Sequence, residues 1–77
     1  MSQFSIMLSS MDDVKRFCNT ANQHECDIDV SSGRYVVNAK SIMGLFSLDR
    51  DKPMTVEFHG SDSQSAAFQA ELEGLTV

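Results

Sequence analysis

Two apolar periods alternate along this chain, and together they restrict it to folds that mix strands with helices. Phe4, Ile6 and Leu8 alternate with Gln3, Ser5 and Met7, the period of a strand with one buried face. Met11, Val14, Phe17, Cys18 and Ala21 then recur at helical spacing, which predicts a helix from about Met11 to Asn22. Lys15 and Arg16 lie off that stripe, and Ser10 with Asp13 forms a capping box with a shorter acid than usual. Period two returns at Cys26, Ile28 and Val30, separated by Asp27 and Asp29. Ser31-Ser32-Gly33-Arg34 makes a turn in which Gly33 is free to take positive φ. Tyr35, Val36 and Val37 are strand formers that complete the hairpin.

The second half repeats the alternation. Ile42, Leu45 and Phe46 share one face of a short helix running to about Leu48. Asp49-Arg50-Asp51-Lys52-Pro53 is a polar connector, after which Met54, Val56 and Phe58 alternate with Thr55, Glu57 and His59 as a fourth strand. Gly60-Ser61-Asp62-Ser63 ends that strand and supplies caps. A last helix then places Phe68, Leu72 and Leu75 on one face and stops near Gly74. The order β-α-β-β-α-β-α predicts an α+β open-faced sandwich with helices gathered on one side of the sheet.

At 77 residues and 42% apolar, residues 1–77 are expected to form a single globular domain. Six Lys and Arg against eleven Asp and Glu leave a net charge of −5, which disfavours nucleic acid or an anionic membrane surface as the main partner. No apolar run reaches the length of a membrane span or a secretory signal, so a cytoplasmic protein is expected. Cys18 and Cys26 are too few for a secreted disulfide scaffold and read as packed, reduced thiols.

Few residues offer chemistry. Cys18, His24 and Cys26 lack the paired spacing of a structural metal site, so no metal is expected. His24 in a loop and His59 on a strand read as surface histidines, and no cofactor or enzyme activity is expected. The four glycines are scattered rather than gathered into a phosphate loop. Asp12 and Asp13 point in different directions from their helix and complement its dipole rather than share a proton. Ser41 stands at the N-cap of the Ile42 helix, where a free backbone N–H and the dipole favour negative charge. An ordinary cap over a core helix accounts for those residues. A phosphate on Ser41, with an apolar patch beside it, accounts for them too.

Val37-Asn38-Ala39-Lys40-Ser41-Ile42-Met43-Gly44-Leu45-Phe46-Ser47-Leu48 resembles the regulatory-serine segment of the HPr family, the histidine-containing phosphocarriers of the bacterial sugar phosphotransferase system. The likeness is closest to HPr and catabolite-repression HPr of Gram-positive bacteria. It fits at every position, with one tolerated variation at Phe46, and extends without a gap back to Phe17. It implies a four-stranded antiparallel sheet covered on one face by three helices. It implies that Ser41 is phosphorylated by an ATP-dependent HPr kinase and then recognised by a transcription regulator, with Lys40 flanking the site and Ile42, Met43 and Phe46 in the docking patch. The same register departs at the carrier box, roughly Gly-Leu-His-Ala-Arg-Pro-Ala in the family. The histidine position falls on Ser10, the arginine on Asp12 and the proline on Asp13, within Leu8-Ser9-Ser10-Met11-Asp12-Asp13-Val14. A phosphohistidine relay needs an imidazole and positive charge, and a phosphoserine ester is too stable to pass its phosphoryl on. Three roles follow: a regulatory protein switched at Ser41, a constitutive scaffold or homodimer, or a competitor of a true HPr for other phosphotransferase-system proteins.

Overall fold

The computed structural model describes residues 2–49 and 51–77; Arg50 of the polar connector lies outside the described residues. The elements are β1 (Ser2–Ile6), α1 (Met11–Asn22), β2 (Ile28–Ser32), β3 (Tyr35–Asn38), α2 (Ile42–Phe46), β4 (Met54–Phe58) and α3 (Asp62–Glu71). The strands form one antiparallel sheet in the order β1-β4-β2-β3. This is the α+β arrangement of four strands and three helices expected from the sequence.

Alternation puts Ile6, Ile28, Val30, Met54, Val56 and Phe58 on the buried face. There they meet Val14, Phe17, Cys18 and Ala21 of α1, Leu45 of α2 and Phe68 of α3. Phe68 is the hub of this core. Its ring centroid lies 5.4 Å from Phe58, 5.8 Å from Phe17 and 6.0 Å from Phe4. Helix α1 keeps its predicted bounds because its start is closed from both sides. Ser10 Oγ accepts from the Asp13 N–H at 3.1 Å, and the Ser10 N–H donates to the Asp13 carboxylate at 3.4 Å. The β2–β3 turn likewise uses Gly33 at φ 61°, a conformation that costs a residue without a Cβ nothing.

Several apolar residues are buried without belonging to the element that periodicity gave them. Leu8 lies beyond β1, Leu48 beyond α2, and Leu72 and Leu75 beyond α3, all in the core. Strand β2 begins at Ile28, leaving Cys26 half-buried in the approach to it. Met11, spaced as part of the α1 stripe, is 59% exposed, since a side chain in the first turn leans back past the start of the helix. After α3 the chain turns to cover the outer edge of β1. The Met7 N–H donates to Leu75 O at 2.8 Å, Ile6 bridges Thr76, and the Val77 N–H donates to Ser5 O at 3.0 Å. No described helix is long and apolar enough to cross a membrane.

Gly60 marks the tightest passage in the chain. A Cβ there would stand 2.6 Å from Phe58 Cε1, 2.7 Å from Gln64 Oε1 and 3.1 Å from Cys26 Sγ. The Phe58 ring is fully buried, and Gln64 Oε1 already accepts the Ser61 N–H in the α3 capping box. Neither neighbour can give way without loss. Gly60→Ala is therefore expected to cost about 1–3 kcal/mol, read as a lower urea midpoint with an unchanged slope.

Candidate functional site

The segment leading into α2 is pinned before it reaches Ser41. The Ala39 N–H donates to Ile28 O at 2.8 Å and the Ser41 N–H to Asn38 O at 3.0 Å. The Lys40 N–H donates to Asn38 Oδ1 at 2.9 Å, while Lys40 O accepts from the Cys18 thiol and the Asn22 amide of α1. Ser41 then takes an extended backbone conformation, and its Oγ accepts the Gly44 N–H at 3.2 Å. The hydroxyl is a working cap on an exposed residue.

Around it the residues singled out in the sequence separate by burial. Leu45 enters the core, Ile42, Phe46 and Lys40 are half-buried, and Met43 is 77% exposed. The expected docking residues thus stand within two turns of chain from Ser41, with Met43 fully presented to solvent. One expectation is corrected. Helix α2 stops at Phe46, not Leu48, because Ser47 Oγ donates to Gly44 O at 2.6 Å and the Leu48 N–H closes a tight turn on Leu45 O. A five-residue helix carries little aligned dipole, so the accessible hydroxyl and the apolar side chains distinguish this place, and the helix start contributes little. An open cleft lined by Ser32, Arg34, Tyr35, Ser47, Asp49 and Lys52 lies at the opposite, C-terminal end of α2.

The start of α1 is organised differently. Ser9 Oγ donates to Asp13 Oδ2 at 3.2 Å, alongside the capping box with Ser10, and Asp12 is exposed. An incoming phosphoryl group would meet two carboxylates here and no imidazole. The chain's two histidines are both elsewhere, each against a carboxylate. His24 corrects the surface reading. Its side chain is 16% exposed, packs edge-on against Phe58 and Phe68, and holds Glu71 of α3 at 2.8 Å. His59 lies just past β4 beside Asp29.

Cys18, His24 and Cys26 do not converge. The Cys18 thiol faces Lys40 O, His24 faces Glu71, and Cys26 lies against the Gly60 backbone. Burial pushes the Cys18 thiol up, partly offset by the Asn22 amide donating to its sulfur. It stays protonated and unreactive at neutral pH.

A family model described as "PTS HPr component phosphorylation site" matches residues 13–76. The chain belongs to the HPr family. HPr proteins are phosphocarriers rather than catalysts, and this chain is accordingly not an enzyme. No curated protein matches it. Among solved structures, it is 29% identical to the phosphocarrier protein HPr of Bacillus anthracis, with a TM-score of 0.68 over 91% of this chain and 94% of that one. HPr-C-His of Thermoanaerobacter tengcongensis gives 24% identity and a TM-score of 0.75 over 94% and 90% of the two chains. A mycoplasma histidine-containing phosphocarrier protein gives 18% and 0.71 over 92% and 91%; these last two likenesses show the shared fold.

Proposed function

We propose that this chain is a cytoplasmic regulatory HPr protein, one domain over residues 1–77, that has lost the histidine relay and acts through phosphorylation of Ser41. The observation that carries the reading is the contrast between two helix starts. At α2 an exposed serine hydroxyl stands beside the exposed Met43. At α1, Ser10 and Asp12 occupy the positions that the family resemblance gives to the carrier histidine and its arginine, and Asp13 closes the cap. The span matched by the family model begins only at Asp13, in keeping with a changed carrier box. A phosphate on Ser41 adds about −2 charge and three acceptor oxygens. A partner supplying Arg or Lys for it, and an apolar groove for Ile42, Met43 and Phe46, would read both features at once. The kinase would be an HPr kinase, and the reader a transcription regulator or another phosphotransferase-system protein.

A second reading rests on Met43 alone, whose exposure suits a constitutive scaffold or homodimer with Ser41 as a plain cap. The two are separated by intact mass after incubation with an HPr kinase and ATP, with Ser41→Ala as control. One phosphate that vanishes in the variant is the expected result. Absence of phosphate on the wild-type chain would refute the switch and leave the scaffold.

A further inference from the structure

The solvent face of the sheet holds a cluster unrelated to Ser41. Asp29 of β2 and Glu57 of β4 are direct register partners, on the face opposite Ile28, Val30, Val56 and Phe58. Like charges directly opposite one another weaken an antiparallel pair. Among the described residues no Lys or Arg lies within ion-pair distance of either carboxylate; the group between them is the imidazole of His59. Its Nε2 lies 3.0 Å from Asp29 Oδ2 and 3.9 Å from Glu57 Oε2, and the three donor atoms fall within 4.8 Å of one another. This is the one such group of metal-ligating side chains among the described residues.

The spacing is that of ligands around a shared ion. Metal–ligand bonds of about 2.0–2.2 Å to imidazole nitrogen and carboxylate oxygen place neighbouring ligand atoms roughly 3–3.5 Å apart, and the His59 pairs at 3.0 and 3.9 Å already stand near that separation. One backbone and one side-chain hydrogen bond hold it ready. The His59 N–H donates to Asp27 O at 3.0 Å, fixing the residue beside β2. Gln3 Nε2 donates to Glu57 Oε1 at 3.2 Å, which satisfies one oxygen from the β1 side and leaves Oε2 facing the cluster. An outer partner that orients a ligand in this way is a regular part of metal sites. The three side chains are each about one-third exposed, at 33%, 39% and 37% for His59, Asp29 and Glu57, so water has access to the remaining coordination positions.

We infer that Asp29, Glu57 and His59 form a solvent-accessible site for a divalent transition metal ion of the zinc class. The imidazole excludes magnesium and calcium, which take oxygen ligands, and favours the later ions of the transition series. The ion would take the place of the proton on Nε2 and neutralise the opposed carboxylates, stitching β2 to β4. Positions 29, 57 and 59 are too far apart in the chain for spacing to reveal the set; only the strand register brings them together.

The test is titration of the chain with Zn²⁺, following the ring nitrogens of both histidines by NMR alongside the melting temperature. Saturable one-to-one binding that shifts His59 Nε2, leaves His24 unmoved and raises Tm is expected. His59→Ala, Asp29→Asn and Glu57→Gln should each weaken binding by at least about tenfold, the effect of losing even an outer partner. Their amide spectra report that the fold is kept, and Ser41→Ala should bind as wild type. Zn²⁺ settling on His24 or the cysteines, affinity unchanged in His59→Ala, or binding weaker than about 1 mM would each overturn the assignment.

Discussion

Phe68→Ala is expected to cost about 3–5 kcal/mol, the usual range for deleting a fully buried aromatic ring. The reason is its position. Phe68 is completely buried and touches a ring from β1, α1 and β4 as well as His24 at the end of α1. No neighbouring side chain can collapse into the space without leaving its own contacts, and cavities that stay open carry the largest penalties. A domain of this length holds a total stability of roughly 4–12 kcal/mol, so the loss takes from about a quarter of it to the whole. At about 4–8 °C per kcal/mol for a chain this small, the melting temperature should fall by at least about 12 °C. A loss below about 1 kcal/mol in urea titration would mean that the core is looser than these contacts describe.

Met43→Asp is expected to act in the opposite way, sparing the fold and removing recognition. At 77% exposure the side chain contributes little to folding, and surface changes of this kind stay within about 0.5 kcal/mol. In the docking patch proposed for Met43 with Ile42 and Phe46, an anchoring residue is worth about 2 kcal/mol or more, a Kd at least about 30-fold weaker. The added carboxylate would also sit close to the phosphate proposed on Ser41 and compete for the partner's basic groups. Calorimetric titration of the phosphorylated chain with an HPr-binding transcription regulator measures this directly. An unchanged Kd would move the interface away from α2.

Much of this architecture was open to reading from the residues alone, in ways that differ from element to element. Helix α1 was legible at both ends because Ser10 and Asp13 close its start and the stripe through Ala21 is unbroken. The β2–β3 turn was legible because Gly33 leaves few alternatives. Leu8, Leu48 and Leu75 were assigned to a strand and two helices they only follow, since periodicity reports burial and says nothing of who accepts a backbone hydrogen bond. The family resemblance gave four antiparallel strands but the order β1-β4-β2-β3 was not legible, as apolar spacing carries no information on which strands are neighbours. The candidate site at Ser41 is contiguous in sequence and could be found there. His24 could not, because its burial depends on α3 folding back over the end of α1. Asp29, Glu57 and His59 could not either, being joined by register across two strands.

The order β1-β4-β2-β3 also imposes a schedule. β2 and β3 are joined by a two-residue turn and can pair as soon as both exist, whereas β1 has no strand partner until Met54–Phe58 is available. During synthesis the first strand, with Phe4 and Ile6, must therefore wait uncovered while most of the chain is made, and α1 has no completed sheet to rest on. Closing a loop of that length is the slow part of such a topology. Until then its apolar side chains and unpaired edge are the kind of surface on which chains aggregate and chaperones act.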